Sequence, residues 1–213
     1  MTHGRKVGAF MTAPRYECVW VRNKINAALQ GARVPLSVSG GVFYGQCMQR
    51  MLEQAIENGI DYAVTVDFDS VFMAEDVSRL LSVIDSRDDI DALAALQCRR
   101  SMKYPLFTIA GEKQVEFDGS PVPVDTAHFG LTVIKLARLM DIPKPWFWCK
   151  PNADGRWEDD KIDDDIYFWH QWKEHGRSVW VDPTASIGHL EEVITQFNRE
   201  TGEHEFVYQN EWK

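Results

Sequence analysis

The sequence predicts an α/β protein, with a mainly parallel central sheet flanked by helices and a small extra β element in its second half. Three observations carry that expectation. Charge-free runs such as Ala63–Val66 read as strands covered on both faces. Segments with apolar residues at helical spacing, such as Gly45–Asn58, alternate with those runs. Through residue 98 the order is β-α-β-α-β-α-β, which requires helical crossovers between parallel strands.

Taken in order, "RKVGAFMTAP" (5–14) is a first strand ending in a loop, and residues 16–30 form a helix with Val19, Ile25 and Leu29 apolar. "VPLSVSGG" is a second strand, broken by Gly40 and Gly41. The next helix places Cys47, Met48, Met51, Leu52, Ala55 and Ile56 on one face and stops at Asn58-Gly59. The strand 63–66 follows, then a helix in "AEDVSRLLSVIDS" with Val77, Leu80, Leu81 and Ile84 inward, then a strand in "DALAALQC". Beyond residue 100 the pattern changes. "KQVEFDGSPVPV" predicts two short strands around an Asp118-Gly119 turn. "HFGLTVIKL" is a strand running into a short helix, and "IPKPWFWCKPNADGRW" is a Pro- and Trp-rich loop. "DDDIYFWHQWKEHG" is a helix with acids in its first turn and Gly176 at its end. "SVWVDP" is a last strand, and the polar tail from Glu191 packs over the surface.

A chain of 213 residues, 45% hydrophobic and 26% charged, suits one sizeable core. The expected organisation is one domain over 1–213, with a nucleotide-binding part to about residue 100, an acceptor part over about 101–190 and a tail over 191–213. Eight tryptophans and eleven phenylalanines suggest aromatic-lined clefts as well as core. No apolar run approaches the ~20 residues that span a bilayer, and "MTHGRKVGAFMTAPRYE" lacks a signal-peptide apolar stretch, so a cytoplasmic protein is expected. Cys18, Cys47, Cys98 and Cys149 have no CxxC spacing and read as reduced thiols. The net charge of −9 is uneven: residues 1–60 carry seven Lys/Arg against three acids, and the remainder is strongly acidic. A basic amino-terminal part suits a phosphate-bearing ligand, while the acidic remainder argues against broad nucleic-acid binding. Arg99, Arg100 and Lys103 form one small basic cluster that keeps a local nucleic-acid contact open.

"DYAVTVDFDSVF" is the most informative stretch. If the backbone stays extended, Asp67 and Asp69 leave the strand's carboxyl end on one side, with Phe68 turned away. That end is where open α/β sheets bind ligands. Three readings compete. The aspartates are turn and cap chemistry; or "DFDSV" is the nucleophile motif of haloacid-dehalogenase-type phosphatases; or it is a DxD motif holding a divalent cation on a nucleotide-sugar diphosphate. In the last case a hard cation neutralises the charge developing on the pyrophosphate leaving group.

The wider sequence resembles GT-A fold glycosyltransferases of the family-2-like, DxD-containing type. "SGGVFYGQCMQRMLEQAIENGIDYAVTVDFDSVFMAEDVSRLL" resembles the segment in which a helix leads into the DxD strand and the next helix. "DTAHFGLTVIKLARLMDIPKPWF" resembles the acceptor-lobe strand and its Pro-Trp-Phe loop. "DDDIYFW" resembles the ED-xx-F helix start, with Asp164 in place of the usual Glu. "HGRSVWVDPTASIGH" resembles the last core strand and its following His. The resemblance spans about residues 5–190.

It implies a GT-A-like, Rossmann-like fold and metal-dependent transfer of one sugar from a UDP- or GDP-linked donor to an acceptor hydroxyl. Asp69 and His189 would ligate Mn²⁺ or Mg²⁺, with Asp67 touching the metal or the ribose. Asp165 would be the general base and Asp164 its catalytic neighbour, which favours inversion. Thr12, Ala13, Pro14, Arg15, Tyr16 and Phe68 would form the nucleotide end, although no acid follows the second strand to read the base. His128, Trp146, Trp148 and Trp157 would face the donor sugar or the acceptor. The acceptor is a glycan, a small molecule, a protein or a modified nucleic-acid base. A non-catalytic nucleotide-sugar-binding protein remains the alternative outside catalysis.

Overall fold

The structure is a computed structural model that describes residues 4–14, 16–99, 105–109, 116–158 and 160–208. The first half follows the expected alternation: β1 (Val7–Ala13), α1 (Val19–Gly31), β2 (Leu36–Gly40), α2 (Tyr44–Glu57), β3 (Tyr62–Asp67), a two-residue β4 (Ser70–Val71), α3 (Ala74–Ser86) and β5 (Ala92–Gln97). The second half holds short β6 (Phe107–Thr108), β7 (Val122–Val124) and β8 (Thr126–Ala127), then β9 (Leu131–Lys135), which runs into a 3₁₀ turn at Leu136–Arg138. After a long loop come α4 (Asp164–Glu174), β10 (Val179–His189), β11 (Val193–Phe197) and β12 (His204–Tyr208).

Among the described residues the central sheet runs β2-β1-β3-β9-β5-β10-β4, with β7 also on β10. β1 is parallel to both β2 and β3, and β5 is parallel to β10. β9 lies antiparallel between β3 and β5. The first four long strands therefore do not form one uninterrupted parallel run, because β9 arrives from the second half and splits them. β3 gives no warning of this: Tyr62–Val66 are all buried, and an apolar run covered on both faces accepts a neighbour of either direction.

The period of two sorts β1 and β3 between two cores. Ala9, Met11, Ala13, Tyr62, Val64 and Val66 pack toward α1 and α3, with Val21, Ile25, Val77, Leu80 and Ile84. Phe10 and Ala63 face a second core with Met48, Met51 and Leu52 of α2 and Phe168, Trp169 and Trp172 of α4. Phe129 and Phe147 stack into the same aromatic layer, 5.1 Å and 4.9 Å from the Phe168 ring. α1 and α3 thus cover one face of the sheet, and α2 and α4 the other.

Three expectations change. Glu116 and Phe117 are not in a strand, so the Asp118-Gly119 turn does not join a described hairpin; Val122–Val124 pairs instead with Val179–Val181 of β10. The last strand does not end near Pro183 but runs to His189, with a register shift between Asp182 and Ser186. The tail is a hairpin, with Val193–Phe197 antiparallel to His204–Tyr208.

Candidate functional site at the carboxyl edge of the sheet

Strand register brings the edge together. Thr12 pairs with Asp67, Val66 with Leu131, and Gln97 with Ile187 two residues before His189. After Asp67 the chain does not stay extended. It turns at Phe68-Asp69 so that β4 can pair antiparallel with the end of β10, Ser70 opposite His189 and Val71 opposite Gly188. The extended backbone expected through Asp69 is therefore not kept.

Asp69 is only 4% exposed, and its backbone oxygen accepts from Leu190 N at 2.8 Å. Its Oδ2 lies 3.3 Å from His189 Nε2. His189 Nδ1 is 3.2 Å from the Cys98 carbonyl, which can only accept, so Nδ1 carries the proton. With both ring nitrogens protonated His189 makes an ion pair with Asp69; with Nε2 unprotonated, its lone pair meets a carboxylate oxygen. Two acceptors at that separation need a proton or a cation between them. Adjacent donors around an octahedral Mg²⁺ at 2.0–2.1 Å stand about 3 Å apart, so this pair fits a small hard cation. Among the described residues no group of three His, Cys, Asp or Glu side chains gathers round such an ion. Mg²⁺ sites use one or two carboxylates with substrate phosphates, so Asp69 is the hard donor of this pair and the His189 imidazole the softer one.

A buried bracket supports this edge. Gln97 Nε2 donates to Ser70 Oγ at 3.2 Å and to the Gly188 carbonyl at 3.3 Å. The Gly130 carbonyl accepts from Asp67 N at 3.3 Å. A Cβ at Gly130 would lie 2.5 Å from Gln97 Oε1 and 2.7 Å from Ser70 Oγ, so only glycine fits. His128 belongs to the same bracket. Its Nδ1 accepts from Gly130 N at 2.9 Å and its Nε2 donates to the Ala95 carbonyl at 2.8 Å. Burial holds it neutral, with a pKa down at about 4. With both nitrogens committed inside the protein, His128 has no polar atom left for a sugar.

On the α2/α4 face, Asp164 and Asp165 open α4. Asp164 Oδ2 accepts from Gly45 N at 2.9 Å, at the amino end of α2, and its Oδ1 accepts from Asp165 N at 3.1 Å. This carboxylate clamps two helix starts together, and both its oxygens are used. A Cβ at Gly45 would meet Asp164 Oδ2 at 2.8 Å and Phe147 Cβ at 2.6 Å, which explains the glycine. Asp165 Oδ1 accepts from Ile166 N at 2.8 Å, and Oδ2 carries no hydrogen bond among the described residues. Burial first, then the Asp164 and Asp163 charges, hold the Asp165 carboxyl above its ordinary value, which makes it a better base. The phenol of Tyr44, the first residue of α2, is pushed well above 10 by burial first and then by the Asp67, Asp165 and Asp164 charges. Its ring packs edge-on against Phe129 and Phe147, and its buried hydroxyl has no hydrogen-bond partner.

A cavity of about 730 Å³ opens from this acidic helix start, between α2 and the Pro145–Cys149 loop. Phe43, Trp148 and Phe147 give it aromatic walls, and Arg50 and Gln46 give it polar ones. Trp148 is 54% exposed there. Trp146 is 2% exposed, with Nε1 donating to the Ile142 carbonyl at 3.0 Å, so its ring is core rather than a stacking surface. Trp157 is exposed but does not line this cavity. At the nucleotide end Ala13 is buried, Thr12 and Phe68 are half-buried, Pro14 is exposed and Tyr16 is 82% exposed. Arg15, Arg100 and Lys103 lie outside the described residues. A smaller cavity of about 440 Å³, between Arg5, Asp61, Lys135 and Arg138, opens at the amino end of β3, away from the edge where such sheets bind ligands.

Sequence reasoning missed Tyr44, Gly45, Ser70, Gln97 and Gly130. Gly45 in "SGGVFYG", the second residue of α2, was a usable signal, since a glycine lets a helix start come close to other groups. Nothing in "ALQC" marked Gln97 as the residue tying three strands together.

No family model matches the sequence, and no curated protein matches it. Solved structures do match in fold. A197 from STIV superposes with a TM-score of 0.66 at 14% identity, covering 94% of this chain and 93% of that one. GalNAc-T7, solved with UDP, GalNAc and Mn²⁺, gives a TM-score of 0.61 at 9% identity, covering 87% of this chain and 44% of that one. The chain thus has a GT-A-like α/β fold.

Proposed function

We propose that this protein is a metal-dependent glycosyltransferase that moves one sugar from a UDP- or GDP-linked donor to an acceptor hydroxyl. The observation that carries the reading is the Asp69–His189 pair, 3.3 Å apart at the β4–β10 junction, with Asp165 at the start of α4 as the second acidic function. GalNAc-T7 has the same kind of fold and was solved with UDP and Mn²⁺, which supports a nucleotide and a divalent ion at this edge.

In this reading Asp69 Oδ2 and His189 Nε2 hold Mn²⁺ or Mg²⁺, and Asp67 turns toward the ion or the ribose. When bound, the ion supplies charge neutralisation for the leaving diphosphate. Thr12, Ala13, Pro14, Arg15, Tyr16 and Phe68 line the nucleotide end, and the exposed Tyr16 ring offers a stacking face. Asp164 fixes the α4 start and leaves Asp165 Oδ2 to take the acceptor hydroxyl's proton, so the attack is direct and inverts the anomeric centre. The acceptor enters the aromatic cavity and stacks on Trp148. The phosphatase reading of "DFDSV" gains no supporting observation from this fold.

Incubation with a panel of UDP- and GDP-sugars and MnCl₂, monitored for release of nucleoside diphosphate, tests the proposal. One donor should be turned over, with activity lost by at least about 10²-fold in Asp165→Asn. Donor binding without turnover would leave a binding protein, and binding of none would end the proposal.

A further inference from the structure

The cavity between α2 and the Pro145–Cys149 loop has two unlike walls. On the loop side stand Phe147 and Trp148, the latter 54% exposed. On the helix side Phe43 precedes α2, and Gln46 and Arg50 follow within it. Gln46 and Arg50 are four residues apart, so they share one face of the helix. At about 730 Å³, with aromatic walls and few polar groups, the cavity has the build of a small-molecule site.

Two charged side chains line it among the described residues, Asp164 and Arg50. Both Asp164 oxygens already accept from helix-start amides, those of Gly45 and Asp165. Arg50 is different. Its one side-chain contact among the described residues is a long one, from Nη2 to Cys47 Sγ at 3.8 Å. Glu53, the acid one turn along α2, is held by Lys144 at 2.8 Å and by Gln49 at 3.1 Å. Arg5, Arg22, Arg79, Arg87, Arg138 and Arg177 each meet a carboxylate. In a chain with 32 acids against 23 Lys and Arg, a cavity-lining guanidinium without such a partner is a positive spot for a ligand. Its fork of donors matches a carboxylate or a phosphate, and a tryptophan face takes the apolar side of a ring.

We infer that this cavity binds a ring bearing an anionic group, a carboxylate or a phosphate: Arg50 holds the anion and the ring stacks on Trp148. The inference rests on the glycosyltransferase reading for its last step, that this ligand is the acceptor. The acceptor class then narrows to acidic sugars and phosphorylated compounds, with neutral sugars disfavoured.

Calorimetric titration with matched probes, in the absence of donor and metal, tests the binding. Phenyl glucuronide is compared with phenyl glucoside, and phenyl phosphate with phenol. The anionic member of at least one pair should bind at least about tenfold tighter, and which pair does so tells a carboxylate from a phosphate. Arg50→Gln keeps a good helix former at an exposed position, so the melting temperature should hold while the preference vanishes. Trp148→Ala should weaken both members of the pair together. Equal binding within both pairs, binding of no probe, or a preference that survives Arg50→Gln overturns the inference; the donor panel decides transfer separately. A preference lost in Arg50→Gln, with no nucleotide sugar turned over, keeps the anion site and removes its acceptor role.

Discussion

At the scale of single residues, the site combines groups held for packing with groups held against stability. Asp165 is of the second kind, since burial and two neighbouring carboxylates disfavour its charged form. Its folded pKa lies above the ordinary carboxylate value of about 3.9, so between those two values the folded protein binds more protons than the unfolded chain, and stability falls as pH rises. Asp165→Asn, which keeps an oxygen for Ile166 N, is expected to raise the melting temperature at pH 7. That gain should shrink as the pH is lowered toward 3.9 in paired thermal melts; a constant difference would mean Asp165 is not strained by its charge. His128 shows the other kind. On the strength of the segment it lies in, it is expected to face the donor sugar. Its surroundings, Gly130 N and the Ala95 carbonyl, come from backbone that only the fold brings near. Trp146 and Trp148 teach the same lesson two positions apart: one is core, the other cavity wall. Residue type indicated aromatic chemistry there, while burial decided which ring was available.

At the scale of elements, most strands and helices were legible because each has a clear period. α2 shows this best, with Met48, Met51, Leu52 and Ala55 buried on the expected face. Pairing direction was not legible. β9 reads as an apolar strand wherever it goes, and its antiparallel insertion between β3 and β5 depends on the chain's return path. The turn at Phe68-Asp69 was also hidden, because the pairing of Ser70-Val71 with β10 is a contact across more than a hundred residues. The key joint between elements is that of α2 and α4, where Gly45 N meets Asp164. Gly45→Ala puts a Cβ 2.6 Å from Phe147 Cβ and should push the α4 start outward. Overpacking of this kind costs about 1–3 kcal/mol, measurable by urea unfolding. It should also slow turnover, since Asp165 follows Asp164. An unchanged midpoint with full activity would show that the joint is not rigid.

At the scale of the whole molecule, a mixed sheet with two helices on each face presents one edge on which separate chain segments converge. The Asp67–Asp69 pair, Asp165 and His189 come from three separate stretches of sequence, and only the first two acids are near each other along the chain. The fold likeness to A197 and GalNAc-T7 at 14% and 9% identity fits this picture, since the frame persists where few side chains do. Among the described residues no helix is long and apolar enough to cross a membrane. The functional reading depends on whether the β4–β10 junction holds a cation that in turn holds a diphosphate. Calorimetric titration of UDP and GDP, with and without MnCl₂, into the wild type and Asp69→Ala addresses this directly. One nucleotide should bind the wild type at least about tenfold tighter with Mn²⁺, a gain of ~1.4 kcal/mol, and that gain should vanish in Asp69→Ala. Equal affinities with and without the metal, or a gain that survives the substitution, would contradict it.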